Sequence, residues 1–330
     1  MAVCSHKRGG LSRTKNDKVV KQMKVLNFGS LNIDYVYSLD HFVQKGETIS
    51  SERLDIFSGG KGLNQSVALG RAGAEVYHAG AIGQDGEFLI ELLCEAGVRT
   101  EFVRRLDSIR PGNAIIQRDK AGDNCIILYG GANQNIERTQ VDEAIGFFEA
   151  GDYIVLQNEI NEMAYIMEKA HEKGMKIVLN PSPMDEKILA LPLSFVALFI
   201  LHEIEACQLL GLSGEEGKDA ASRGEEFLRQ LSERFPQAMI VLTLGELGAV
   251  CMAGQETVKQ HIYKTRTVDT TAEGDTLPGY FVSGLVRGLS VKASMELAAR
   301  AAAITVPGPG AAQAIPKHSQ AMDREVGTSG

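Results

Sequence analysis

The chain has 330 residues, 44% hydrophobic and 23% charged, with 35 glycines and a formal net charge of -8. That length suits one large domain or two smaller ones, and the composition excludes a disordered or collagen-like chain. Aromatic residues make up 6% with no tryptophan, and the negative charge opposes phosphate backbones, so nucleic acid is not an expected partner.

Residues 1–22 carry Lys7, Arg8, Arg13, Lys15, Lys18 and Lys21 against Asp17. With no apolar run that could serve secretion, they read as a disordered basic tail. The main domain is expected over 23–320, with a tail at 321–330. Cys4, Cys94, Cys125, Cys207 and Cys251 are scattered and form no C-x-x-C pair, which fits a reducing, cytoplasmic compartment. No run approaches the roughly 20 apolar residues of a membrane span, so a soluble protein without a membrane partner is expected.

From Lys24 onward, short β-branched runs alternate with longer amphipathic segments, the habit of an α/β fold whose mostly parallel sheet has helices on both faces. In chain order the pattern predicts a strand over Val25–Leu31, a helix over Leu63–Ala72, a strand over Val76–Ile82 and a helix over Glu87–Ala96 with Phe88, Leu89, Leu92 and Leu93 inward. Further strands are expected at Tyr153–Gln157, Lys176–Leu179, Val196–Leu201 and Met239–Leu244, with helices at Met163–Lys173 and Gly224–Arg234. Two stretches break this rhythm, 35–57 and 113–129, the second with a turn at Asp119–Asp123. Both read as antiparallel strands forming a small lid above the carboxyl ends of the sheet, where ligands of open sheets bind.

Three segments could carry chemistry. In Gly29-Ser30-Leu31-Asn32-Ile33-Asp34, at the end of the first strand, Asn32 and Asp34 could meet sugar hydroxyls or simply favour a turn. Ser58-Gly59-Gly60-Lys61-Gly62-Leu63-Asn64-Gln65 lets a polar ligand reach the backbone, or is an ordinary loop with an exposed lysine. It is neither a Walker A loop nor a dinucleotide fingerprint. Val268-Asp269-Thr270-Thr271-Ala272-Glu273-Gly274-Asp275-Thr276 precedes a helix expected near Leu277. Free amides of Ala272 to Asp275 there could hold a phosphoryl group, and Asp275 either accepts a proton from an attacking hydroxyl or caps the helix.

Together these segments resemble the ribokinase-like, or phosphofructokinase-B, family of sugar kinases, from about Lys24 to Pro316. The signatures are Gly59-Gly60-Lys61-Gly62-x-Asn64-Gln65 and Asp269-Thr270-Thr271-Ala272-x-Gly274-Asp275-Thr276. Asn180-Pro181-x-Pro183, Thr243-Leu244-Gly245-x-x-Gly248 and Gly310-Ala311-Ala312 follow in the family's order.

The resemblance implies a three-layer fold with a β lid and ATP-dependent phosphorylation of a sugar hydroxyl, with ribose to ribose 5-phosphate favoured. Another sugar or a nucleoside is the alternative acceptor, and a sugar-binding regulatory protein the alternative of another class. Asp275 is implied as catalytic base, with Ala272, Glu273 and Gly274 in the anion pocket. Asn32, Asp34, Gly60, Lys61, Asn64 and Glu159 fall on the sugar-binding positions. His202, Thr243, Gly245 and Gly248 fall on the nucleotide side, and Glu205 where magnesium is held through water. Asp269, Thr271, Gly308 and Gly310 fall on the potassium site. Separately, lid strands carrying Ile115, Ile126 and Leu128 would leave an apolar surface exposed, so a homodimer through the lid is expected. This chain departs from the family pattern at His202, where Asn is usual, at Glu273, where a small residue is usual, and at Leu277-Pro278, where Pro belongs to a helix's first turn.

Overall fold

The computed structural model describes residues 22–212, 223–263, 273–304 and 311–323. The chain runs β1 (Lys24–Phe28), β2 (Asn32–Ser38), β3 (Arg53–Gly59), α1 (Lys61–Arg71), β4 (Glu75–Ile82), α2 (Glu87–Glu95), β5 (Arg99–Arg105), β6 (Gly112–Arg118), β7 (Asn124–Tyr129) and α3 (Arg138–Gly146). It continues through β8 (Tyr153–Gln157), α4 (Met163–Glu172), β9 (Lys176–Asn180), β10 (Val196–His202), α5 (Glu203–Leu210), α6 (Gly224–Arg234), β11 (Met239–Thr243), β12 (Ala249–Ala253), β13 (Glu256–Gln260), α7 (Glu273–Val286) and α8 (Val291–Ile304).

Among the described residues nine strands form one sheet in the order β13-β12-β11-β10-β9-β8-β1-β4-β5. It is parallel except at β12 and β13, which pair antiparallel at one edge. Side chains alternate between its two faces as the strand period of two requires. Leu26, Phe28, Ile154, Leu156, Ile177 and Leu179 enter the core under α3 to α6. Val25, Val155, Val178, Ile200 and Val241 enter a second core with α1, α2, α7 and α8. The result is three layers. The chain winds from β1 toward β4 and β5 on one side and from β8 toward β11 on the other, so the direction of winding switches between β1 and β8. Ligands of open α/β sheets bind at the carboxyl ends of the strands at such a switch.

The four lid strands form a separate sheet, β3-β2-β6-β7. The two hairpins are antiparallel, as expected, but they join through a parallel pairing of β2 with β6, from Asn32 opposite Gly112 to Ser38 opposite Arg118. The first strand is shorter than the sequence suggests. It stops at Phe28, and after Gly29 donates to the Ala79 carbonyl at 3.0 Å the chain leaves the main sheet. Asn32 and Asp34 therefore stand on lid strand β2 rather than at the end of β1, and the first lid stretch spans 32–59 rather than 35–57.

Helix α7 also departs from expectation. It begins at Glu273, four residues before Leu277, so Pro278 sits inside the helix beyond its first turn, where it removes one intrahelical hydrogen bond. α1 and α7 run parallel and in register, with Asn64 meeting Asp275, Ala68 facing Gly279, and the Ser283 hydroxyl donating to the Ala72 carbonyl at 3.1 Å. A Cβ on Gly279 would lie 2.3 Å from the Ala68 Cβ, so the absence of a side chain at Gly279 sets the helix separation. Two positive helix ends consequently open side by side at the switch point.

Candidate active site

Gly60 takes the N-cap position of α1 with φ at +92° and offers no side-chain cap. The first-turn amides are satisfied from elsewhere. Lys61 N donates to Glu159 Oε2 at 2.9 Å, Gly62 N to Ser30 Oγ at 3.2 Å and Leu63 N to the Ser30 carbonyl at 2.9 Å. Ser30 Oγ in turn donates to Glu159. Glu159 thus caps α1 with one carboxylate oxygen. Burial raises its pKa, and the bonds from Ser30 and Lys61 only partly offset that rise. The Lys61 ammonium lies above its usual value because of the Asp275 charge; burial opposes the rise, and Glu159 and Glu205 add to it.

Asp275 lies in the first turn of α7 and is 5% exposed. Its Oδ2 accepts from Asn64 Nδ2 at 2.9 Å and its Oδ1 from Gln65 Nε2 at 3.1 Å. The described hydrogen bonds of this carboxylate therefore run across to α1 rather than onto its own helix, which is not the geometry of an N-cap. Asn64 Oδ1 is buried with no hydrogen-bond partner among the described residues, an acceptor left for a ligand.

Asp34 faces the same space. Its pKa is raised to about 7, first by burial and then by the Glu159 and Asp275 charges. A Cβ on Gly59 would lie 2.0 Å from the Asp34 carboxylate, so Gly59 is what admits it. Asn32 is buried, and its Oδ1 accepts from Asn133 Nδ2 at 2.7 Å while Asn133 Oδ1 takes the Leu31 amide at 2.9 Å. Asn32 is thereby held by a residue that the sequence did not single out.

The expected nucleotide residues stand three and four strands along from β1, beyond β9. His202 ends β10 opposite Thr243 at the end of β11. Gly245 and Gly248 form the turn into β12, where Leu244 N donates to the Gly248 carbonyl at 2.8 Å and a Cβ on Gly248 would lie 2.1 Å from the Gln260 carbonyl oxygen. His202 caps α5 in a reciprocal box: Glu205 N donates to its Nδ1 at 3.4 Å, and His202 N donates to Glu205 Oε2 at 3.0 Å. Its Nε2 lies 3.2 Å from Glu205 Oε1, which Ser182 Oγ also donates to. Burial pushes the Glu205 carboxyl up, but the bonds from His202 and Ser182 outweigh it and hold the group below its ordinary value. Histidine in place of the usual asparagine thus still caps the helix. With three protein contacts on a carboxylate that accepts about four, Glu205 has room for one water, which fits magnesium held at second hand.

Ala272, Asp269, Thr271, Gly308 and Gly310 lie outside the described residues, as does the Glu273 side chain. Of the expected anion pocket, Gly274 and Asp275 are therefore described, and of the expected potassium site, no residue is. Sequence reading missed Ser30, Asn133 and Gln157. A signal existed for Gln157, because Gln157 and Asn180 each end a buried apolar run, Ile154–Leu156 and Ile177–Leu179, and pair in register.

Residues 22–318 match the pfkB family carbohydrate kinase model. The chain is 31% identical over 302 residues to a ribokinase of Staphylococcus aureus, covering 89% of this chain and 96% of that one. It is 29% identical over 303 residues to a ribokinase of Haemophilus influenzae, with the same two coverages. A crystal structure of a ribokinase from Cryptococcus neoformans var. grubii serotype A in complex with ADP superposes with a TM-score of 0.82 at 31% identity, covering 91% of this chain and 99% of that chain. The family match spans nearly the whole chain, which belongs to the pfkB family of carbohydrate kinases.

Proposed function

We propose that the protein transfers the γ-phosphoryl group of ATP to the terminal hydroxyl of ribose, giving ribose 5-phosphate and ADP. The observation that carries this reading is the Asp275 carboxylate, buried between the starts of α1 and α7 and held by Asn64 and Gln65. The hydroxyl oxygen forms its bond to the γ-phosphorus as the bond to the β–γ bridging oxygen breaks, and the hydroxyl proton passes to Asp275. The Gly274 and Asp275 amides and the positive end of α7 face the charge that gathers on the phosphoryl oxygens.

Asn32, Asp34, Lys61, Asn64 and Glu159 hold the other sugar hydroxyls, supported by Asn64 Oδ1, which has no partner among the described residues, and by Glu159, whose bonds from Ser30 and Lys61 both fall on Oε2. Thr243, Gly245, Gly248 and His202 line the nucleotide side. Magnesium, held by the nucleotide's phosphates and by Glu205 through water, supplies charge neutralisation there. The lid carries two of the sugar residues, Asn32 and Asp34, on β2, so its position governs sugar binding. We also place the protein in the cytoplasm, in keeping with its scattered cysteines. A homodimer through the lid completes the reading.

The reading is tested by coupled ADP release over ribose, deoxyribose, fructose and nucleosides. Saturable turnover is expected with ribose at the highest kcat/KM. Preference for a nucleoside, or ribose binding without turnover, contradicts it.

A further inference from the structure

Behind the site lies a chain of buried amides whose direction is fixed. The two ends of a side-chain amide look alike, so neighbours with only one possible role decide which way it points. The Gly62 carbonyl can only accept, and it takes Asn27 Nδ2 at 2.7 Å. Asn27 Oδ1 is thereby turned to Gln157 Nε2 at 3.0 Å, and the same Gln157 nitrogen donates to Gln65 Oε1 at 2.7 Å. Gln65 is left with its N–H face toward Asn180 Oδ1, at 3.0 Å, and Asp275 Oδ1. The other end agrees: the Ile200 carbonyl takes Asn180 Nδ2 at 3.0 Å, which turns Asn180 Oδ1 toward Gln65.

A side branch closes the chain. Asn27 also donates to Ser66 Oγ at 2.8 Å, and that hydroxyl shares a hydrogen bond of 2.7 Å with His78 Nδ1. Burial pushes His78 down to about 4, which keeps the ring neutral. Asn27, Gln65, Ser66, His78 and Gln157 are all fully buried. None of them could be recruited by a substrate hydroxyl without dismantling the others.

From this geometry we infer that Gln65 is the positioning residue of the general base, holding one oxygen of Asp275 in a substrate-independent orientation set by Asn27, Gln157 and Asn180. Asn64 holds the other oxygen, but Asn64 is also a sugar ligand, so its grip changes as the acceptor binds. Gln65 keeps its bond throughout the cycle. A base displaced by about 1 Å loses up to about 100-fold in rate, and that loss falls on kcat because the sugar contacts are untouched.

The inference rests on Asp275 being the base, and the test separates the two. Gln65→Met, Gln157→Leu and Asp275→Asn are compared with the parent by ADP release and by calorimetric ribose binding. Expected for Gln65→Met is a kcat lowered about 10- to 100-fold, with the ribose Kd and both KM values within about threefold. Gln157→Leu, which frees Gln65 to turn over, lowers kcat by about fivefold or more with the same unchanged binding. Parental kcat in Gln65→Met overturns the inference. So does a fall in kcat matched by an equal loss of ribose binding, the mark of a merely structural role. If Gln65→Met does not fold, Gln157→Leu decides by the same criteria. Should Asp275→Asn itself turn over like the parent, the base assignment fails; if it is inactive while Gln65→Met is parental, only the positioning role fails.

Discussion

Asp34 answers to two opposed demands. The site needs an acceptor for sugar hydroxyls, yet burial and the nearby Glu159 and Asp275 charges raise its pKa to about 7. Its folded value lies above the unfolded value of 3.8, so the ionised form burdens the fold increasingly as pH rises from about 4 to 7, by at most about 4 kcal/mol. Asp34→Asn should therefore raise the melting temperature markedly more at pH 8 than at pH 5. An equal change at both pH values would show that the charge carries no such burden. In the parent, ribose binding should weaken below pH 7 by up to about tenfold per pH unit as Asp34 protonates, and calorimetry should find that slope lost in Asp34→Asn. Single residues were legible in the sequence where they cluster: Lys61, Asn64 and Asp275 sit in dense, Gly-rich runs. Asn133 and Gln157 stand outside those runs, and each of Ser30, Asn133 and Gln157 takes a partner more than 90 residues away, namely Glu159, Leu31 and Gln65.

At the scale of elements, the site is made by the parallel contact of α1 with α7. Gly279→Val forces side-chain volume into a gap in which even a Cβ would lie 2.3 Å from that of Ala68. It should destabilise the protein by about 1–3 kcal/mol, and in the folded fraction it should lower kcat by parting Asn64 from Asp275. A variant with parental stability and turnover would show that the helix separation is not set there. Sequence periodicity located both helices but not their starts. Lys61 falls in what reads as a Gly-rich loop yet opens α1, because Glu159 and Ser30 supply the caps that local residues lack. The start of α7 was misplaced because Pro278 was confined to a first turn, whereas this helix carries it further in.

For the whole molecule, alternating strands and helices made the three layers readable, since each strand's period-two pattern feeds both cores. The lid was readable only as a break in rhythm. Its central parallel pairing of β2 with β6 depends on contacts across about 80 residues, which no local pattern reports. Ile126, Ile127, Leu128 and Tyr129 are each at least half exposed along β7, an edge strand whose backbone has a free side. An apolar edge of that kind invites pairing with a second copy. Light scattering at micromolar concentration should give a dimer, and Ile126→Lys with Leu128→Lys should give a monomer. A monomeric parent would contradict the homodimer.

The proposed phosphoryl transfer depends on one carboxylate, that of Asp275. Ribose-dependent ADP release by the parent and by Asp275→Asn, measured side by side with calorimetric ribose binding, tests it most directly. The prediction is a kcat reduced about 100- to 10,000-fold in the variant with ribose binding retained. Comparable turnover in the two proteins would contradict it.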